Sequence, residues 1–258
     1  MLGLLTKFRR IKRYYKWGER LLTNSYQLNI QKLSEKEWLK RPLRSDVLNF
    51  LLNQVANEEP VYLEIGVRNP DNNFNKIEAL KKYSVDPGVE YEKNPVDFKM
   101  TSDEFFNALR TGTILDPNIK FDVIFIDGLH IAEQVERDIS NALNYLADDG
   151  FIVLHDCNPP SEWHAREEYR YHLSPARIFW NGTTWKAFYR FRQRADLTSA
   201  CIDTDWGVGI LSRRRIFNYL PGSDNPFYEY QVLDKNRSVH LNLMSFDELK
   251  NTFQQASP

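Results

Sequence analysis

The sequence predicts an α/β domain on a doubly wound, mostly parallel sheet of seven strands with an antiparallel C-terminal hairpin. Three observations carry this expectation. Short apolar runs recur at Val61-Tyr62-Leu63-Glu64-Ile65-Gly66, Tyr83-Ser84-Val85-Asp86-Pro87-Gly88, Phe121–Ile126 and Phe151-Ile152-Val153-Leu154. Segments of helical period or turn chemistry separate them. Parallel neighbours require a crossover, and strands alternating with helices at this spacing supply one.

Taken in order, residues 1–22 read as a basic amphipathic helix, with Leu4, Phe8, Ile11, Tyr15 and Leu22 at about helical spacing. Residues 34–56 read as helical, with Ser34 as a candidate N-cap and Pro42 breaking the stretch in two. After the first strand, residues 72–83 are expected to form a helix behind it. A weak strand candidate lies at 98–100, and a capped helix opens at Ser102-Asp103-Glu104-Phe105. A helix over 132–146 is expected to stop at Asp148-Asp149-Gly150. Residues 159–180 lack a clean period and read as a lid. Asn181 is a candidate cap for a helix through Trp185, Phe188 and Phe191, and residues 199–204 and 206–212 read as two strands joined around Asp205. The expected organisation is an N-terminal helical extension (1–56), a central domain (57–215) with the lid at 159–180, and a tail (216–258) packing on that domain.

Composition excludes several classes. With 42% apolar and 27% charged residues the chain is a globular protein and not a disordered one. Two cysteines in 258 residues, without zinc-ligand spacing, make no disulfide framework and fit a reducing compartment. No run is apolar for long enough to span a bilayer, and no signal peptide is read, so the expected setting is the cytoplasm. Residues 1–22 hold seven Lys and Arg against Glu19, or 7 − 1 = +6, which leaves −1 − 6 = −7 for the rest. An acidic body argues against general nucleic-acid binding. The basic arm has two readings: packing against its own domain or a sister subunit, which implies a homo-oligomer, or peripheral contact with an anionic membrane surface at the inner face. A transit peptide ranks behind both, because no cleavage-like break follows.

Ligands of doubly wound sheets sit outside the carboxyl ends of the strands. The residues there are Glu64, Gly66, Asp86, Asp127, His130, His155, Asp156 and Asn158. An acid past a strand is ordinarily a helix cap or a solvated turn. Two acids and two histidines at neighbouring strand ends are a stronger signal, since each charge brought into a cleft costs free energy unless it is partnered.

Over residues 61–213 the order of these strand ends resembles class I S-adenosylmethionine-dependent methyltransferases, a Rossmann-like fold. Leu63-Glu64-Ile65-Gly66 resembles the first motif of that family, beneath the methionine part of the cofactor. Val85-Asp86-Pro87, 22 residues past Glu64, resembles the second-strand acid that accepts both ribose hydroxyls. The resemblance implies a cofactor set of Glu64, Gly66, Asp86, Ser102, Asp103 and Asp127. The usual glycine-rich loop is reduced to Gly66-Val67-Arg68-Asn69-Pro70. This argues against a dinucleotide, whose pyrophosphate needs close backbone approach.

Ile126-Asp127-Gly128-Leu129-His130 and Leu154-His155-Asp156-Cys157-Asn158 resemble metal-dependent O-methyltransferases, including those acting on macrolide sugars. The resemblance implies Mg²⁺ at Asp127 and Asp156 and a catalytic set of His130 as general base with Asp127 and His155. Two departures stand out. Catechol-type enzymes carry an Asp-Asn pair where this chain has Asp156-Cys157-Asn158, and sugar-type enzymes usually offer an acid where it has His155.

Trp163, His164, Tyr169, Tyr171, Trp180 and Trp185, with Arg166, Arg170 and Lys186, are candidates to line an acceptor site, or else form the core of the lid. The leading function is O-methylation of a small, saccharide-like acceptor, as in polysaccharide biosynthesis. The alternatives are a non-methylating cofactor-binding or metal-hydroxylase-like relative, and a membrane-associated interaction module.

Overall fold

The computed structural model describes residues 2–91, 93–171 and 174–256, without the side chains of residues 2–4, 21 and 256, so Leu4 of the predicted apolar face lies outside the described side chains. Three helices open the chain: α1 (Leu2–Thr23), α2 (Ser25–Leu39) and α3 (Arg44–Leu52). The predicted break at Pro42 separates α2 from α3. Ser34 is no cap: it lies inside α2 with its hydroxyl on the Ile30 carbonyl, and Asn24 caps the helix by accepting from Gln27 N.

Seven strands follow: β1 (Val61–Ile65), β2 (Lys81–Val85), β3 (Phe121–Ile126), β4 (Leu146–Leu154), β5 (Thr198–Ile202), β6 (Val208–Ser212) and β7 (Leu243–Met244). They form one sheet in the order β2-β1-β3-β4-β6-β5-β7. The first four are parallel, and β6 is antiparallel to both β4 and β5. This is the predicted mostly parallel sheet with its C-terminal hairpin, extended by β7 running parallel to β5.

The remaining helices are α4 (Ser102–Arg110), α5 (Ala132–Tyr145), α6 (Thr184–Phe191), α7 (Tyr230–Lys235), α8 (Arg237–His240) and α9 (Phe246–Ala256). Alternate residues of each strand serve opposite faces, as the period of two requires. Leu63, Ile124, Ile126, Ile152 and Leu154 pack with Phe105 of α4, Ile139 of α5 and Phe188 of α6. Tyr62, Val123, Phe125 and Val153 pack with Leu48 and Leu51 of α3 and Phe253 of α9. Both faces are covered, which explains why β3 is apolar almost throughout.

Four further local expectations differ. Residues 72–83 form no helix; two 3₁₀ turns, Pro70–Asn72 and Phe74–Lys76, lead into β2. The Asn69-Pro70-Asp71-Asn72-Asn73 run is turn chemistry, and the Asn69 side chain accepts from Asp71 N instead of continuing a helix. The candidate strand at 98–100 is reduced to an isolated bridge between Val85 and Phe98. Helix α5 passes directly into β4 at Leu146, so Asp148-Asp149-Gly150 belongs to the strand, with a register shift against Phe121 and Val123. Asn181 does not cap α6; Thr183 occupies the N-cap position. Among the described residues no helix is long and apolar enough to cross a membrane.

Candidate active site

The carboxyl ends of β3 and β4 are adjacent, with Ile126 in register with Leu154. Asp127 and Asp156 therefore emerge side by side. His130 lies between them, Nε2 3.2 Å from Asp127 Oδ1 and Nδ1 3.1 Å from Asp156 Oδ2. His155 bridges the same pair, its Nδ1 3.2 Å from Asp127 Oδ1 and 3.2 Å from Asp156 Oδ2. The sequence-predicted quartet is thus one cluster.

Its electrostatics follow from burial and pairing. Burial works against charge on both imidazoles, but the facing carboxylates outweigh it and raise both, His155 strongly through Asp127 and Asp156. Burial would likewise raise Asp127, yet His155, His130 and Arg44 hold it well below the usual carboxylate range. Asp127, His130 and Asp156 each offer a ligand atom, all within 4.8 Å of one another. Two carboxylates and an imidazole are a donor set for a divalent cation.

The cluster has three partners whose role sequence reasoning missed. Arg44, the first residue of α3, places Nη1 3.0 Å from His155 Nε2 and Nε 3.8 Å from Asp127 Oδ2. Asp205, in the β5–β6 turn, lies 3.5 Å from His155 Nε2 and 3.3 Å from Arg44 Nη1. Asn181 donates through Nδ2 to Asp156 Oδ1 at 2.8 Å, which is the work it does in place of capping. Nothing near Arg44 in the sequence signals this role. Asp205 and Trp206 do carry a signal in the structure: like Asp156 they sit at positive φ (41°, 66° and 61°), and such strained backbone gathers at functional sites.

Backbone contacts fix the cluster. Gly66 turns at φ +93°, and a Cβ there would run into the Asp127 carbonyl, so the end of β1 packs directly behind the acid. Gly182 turns at φ +61°, where a Cβ would meet the His130 carbonyl; the neighbouring Thr183 N donates to that same carbonyl at 2.8 Å. The end of the lid is thereby clamped over His130. The Trp180 ring stacks on the imidazole, with centroids 5.2 Å apart and planes at 18°, and Tyr169 stands 5.2 Å beyond.

The predicted cofactor residues divide. Asp86, half-buried at the end of β2, accepts from Gly88 N through Oδ1 at 2.6 Å. Ser102 and Asp103 open α4 and are tied to α5, each accepting from Gln134 Nε2, at 3.1 and 3.3 Å. Glu64 is buried with its carboxylate on Tyr62 Oη (2.6 Å) and Asn73 Nδ2 (2.9 Å), and burial pushes it up to about 7. Of the aromatic and basic lid set, Trp180 and Tyr169 stand at the cluster. Trp185 is core, and Arg166 staples the lid by donating to carbonyls including those of Trp163 and Phe179. Trp163 donates to Tyr26 Oη at 2.7 Å and stacks near Tyr171, and Lys186 pairs with Glu167 at 3.6 Å.

A doubly wound sheet with a charged cluster at the ends of its two central strands defines an enzyme-type α/β domain. Residues 65–157 match the family model of a methyltransferase domain, the span from the end of β1 to the residue after Asp156. Over residues 65–157 the chain is thus similar to a methyltransferase domain, as its motifs led one to expect. No curated protein sequence matches the chain at a significant level. Among solved structures it is similar to a protein from Corynebacterium glutamicum (TM-score 0.41, 13% identity, 80% of this chain and 97% of that one). It is also similar to an O-methyltransferase from Bacillus cereus in complex with SAH (0.40, 12%, 73% and 90%). A third is MycE methyltransferase of the mycinamycin pathway with Mg and SAH (0.41, 13%, 80% and 59%). At these scores the likenesses add no weight to the assignment, which rests on the topology and the family match.

Proposed function

We propose that the chain transfers the methyl group of S-adenosylmethionine to a hydroxyl oxygen of a small, saccharide-like acceptor, with a divalent cation held by Asp127 and Asp156. The observation that carries this reading is the convergence of Asp127, His130 and Asp156 within 4.8 Å beneath the Trp180 ring. The two carboxylates suit a hard divalent cation such as Mg²⁺ or Mn²⁺.

A hydroxyl is a poor nucleophile at neutral pH, and a cation at these carboxylates would lower its pKa. His130 accepts the proton. Its ring is the more open of the two imidazoles, with side-chain exposure of 19% against 7% for His155. Asp127 and Asp156, whose oxygens stand 3.2 and 3.1 Å from the His130 nitrogens, would hold the cation, and His130 would then serve as base beside it. His155, enclosed by both acids and Asp205, orients them. Asp86 uses its remaining oxygen for the ribose hydroxyls, a task suited to an ionised carboxylate. The methionine end would lie over the tight turn at Gly66, which packs against the Asp127 backbone. Ser102 and Asp103 complete the cofactor side from the start of α4.

Tyr169 and Trp180 offer ring faces suited to a sugar. The acidic body favours a small acceptor over nucleic acid, and the buried, free Cys157 and Cys201 favour a reducing, cytosolic setting. The test is incubation of the full chain with methyl-labelled S-adenosylmethionine and a panel of free and nucleotide-linked sugars, with Mg²⁺, Mn²⁺ or chelator. The expected product is a base-stable methyl ether formed only with cation. Cofactor binding without transfer to any acceptor would make the chain a non-methylating scaffold, and full turnover in chelator would remove the metal.

A further inference from the structure

We infer that α1 is a docking helix for an anionic bilayer surface, lying lengthwise in the headgroup region. At 100° per residue, Phe8, Ile11, Tyr15 and Leu22 fall within about 60° of arc, and Tyr14 extends that arc to about 120°. The opposite side carries Arg9, Lys12, Arg13, Lys16 and Arg20 around Leu5, Arg10 borders the arc beside Tyr14, and Lys7 falls within it between Tyr14 and Ile11. This is an amphipathic helix of 22 residues.

Among the described residues the body leaves that apolar arc unused. Phe8 is 67% exposed, Ile11 56%, Tyr15 73% and Leu22 72%. Every described side chain of α1 is exposed, and Gly18, the one half-buried position, has nothing within 4 Å of where a Cβ would stand. The expectation that the arm packs on its own domain is therefore not met among the described residues. Four large apolar side chains on one stripe, left in water, need a cover.

Charge selects the cover. The arm carries +6 and the rest of the chain −7, so the helix is the one strongly basic element of an acidic protein. Pairing of two such helices across a dimer would set +6 against +6. An anionic bilayer answers both features at once: the apolar arc enters the acyl boundary, Lys and Arg reach headgroup phosphates, and Tyr14, Tyr15 and Trp17 suit the interface. Through Asn24, whose N–H donates to the Arg20 carbonyl at 2.8 Å, α1 continues into α2. Helix α2 holds the lid by Ser34 on His164 (2.8 Å) and by Trp38 beside Phe179. The docked helix is thus continuous with the segment that covers the active site.

The experiment is vesicle flotation of the full chain, comparing phosphatidylcholine alone with phosphatidylcholine carrying about one third phosphatidylglycerol, at low and raised salt. Two variants accompany it, Phe8→Ser/Ile11→Ser/Tyr15→Ser and Lys12→Gln/Lys16→Gln/Arg20→Gln. Because these positions are exposed, circular dichroism and the unfolding midpoint of the body should be unchanged. The expected result is flotation with anionic vesicles only, weakened by salt, and reduced roughly tenfold or more in each variant. Absence of flotation, equal binding to neutral vesicles, or undiminished binding by the serine variant would overturn the inference. So would a dimer in sedimentation that the serine variant converts to monomer, which would give the apolar face to a second copy. The inference does not use the methyl-transfer reading, and its failure would leave that reading intact.

Discussion

Arg44 meets Asp205 through backbone and side chain: its backbone N–H donates to Oδ2 at 2.9 Å, and its Nη1 stands 3.3 Å from the same oxygen and 3.4 Å from Oδ1. The start of α3 is thereby pinned to the β5–β6 turn, 161 residues away. Burial works against the guanidinium charge, but Asp127, Asp205 and Asp156 outweigh it and keep Arg44 charged.

Removing that charge leaves the acids short of a partner. Arg44→Met should destabilise the fold by about 3–5 kcal/mol, the usual cost of breaking a buried ion pair. Added Mg²⁺ or Mn²⁺ should restore part of the loss by supplying positive charge at Asp127 and Asp156. Denaturant unfolding of the variant with and without cation measures both effects; an unchanged midpoint would mean that Arg44 is a bystander.

Asp86 carries the cofactor assignment. Its Oδ1 is engaged by Gly88 N, and in the proposed function its carboxylate takes the ribose hydroxyls. Asp86→Ala should weaken S-adenosylmethionine by about 2–3 kcal/mol, because hydrogen bonds to a charged acceptor are lost. Calorimetric titration of the demethylated product as well as of S-adenosylmethionine reads this directly, and equal affinity in variant and parent would take Asp86 out of the site.

His130 as base predicts a separation of effects. His130→Ala should lower kcat by roughly 10²-fold or more with cofactor Kd near normal, since proton removal matters in the transition state. Gly182→Ala, which forces a Cβ onto the His130 carbonyl, should also lower kcat without touching the imidazole. Loss of cofactor affinity in step with activity in His130→Ala would assign the residue to binding instead.

His164 predicts an acid limb of stability. Its ring is buried between Ser34 and Ser161, with Nε2 and Nδ1 2.8 and 2.7 Å from their hydroxyls. Burial, with Arg166 and Arg237, depresses it to about 3 from an ordinary 6.5. The unfolded chain therefore binds the proton more readily, so this contribution is complete above about pH 6.5 and is lost as pH falls towards 3. Unfolding midpoints from pH 7 down to 4 should drop more steeply in the parent than in His164→Gln; parallel slopes would exclude His164 as the source.

The sequence by itself determined the sheet and the acid–histidine quartet. Runs such as Phe121–Ile126 are too apolar to lie anywhere but between two layers, and a parallel sheet presents whatever follows its strands at one edge. Asp127, His130, His155 and Asp156 were legible because each lies within four residues of such a strand. Where local signals competed, reading was weaker: the Asn-rich stretch behind β1 chose turns over a helix, and β4 absorbed the Asp148-Asp149-Gly150 stop. Only the tertiary structure decided that Arg44, Asp205 and Asn181 complete the site, that Trp180 rather than Trp185 faces His130, and that α1 finds no cover among the described residues of its own domain. Those contacts join segments up to 161 residues apart. They are set by how α3, the lid and the hairpin pack, and no periodicity along the chain encodes them.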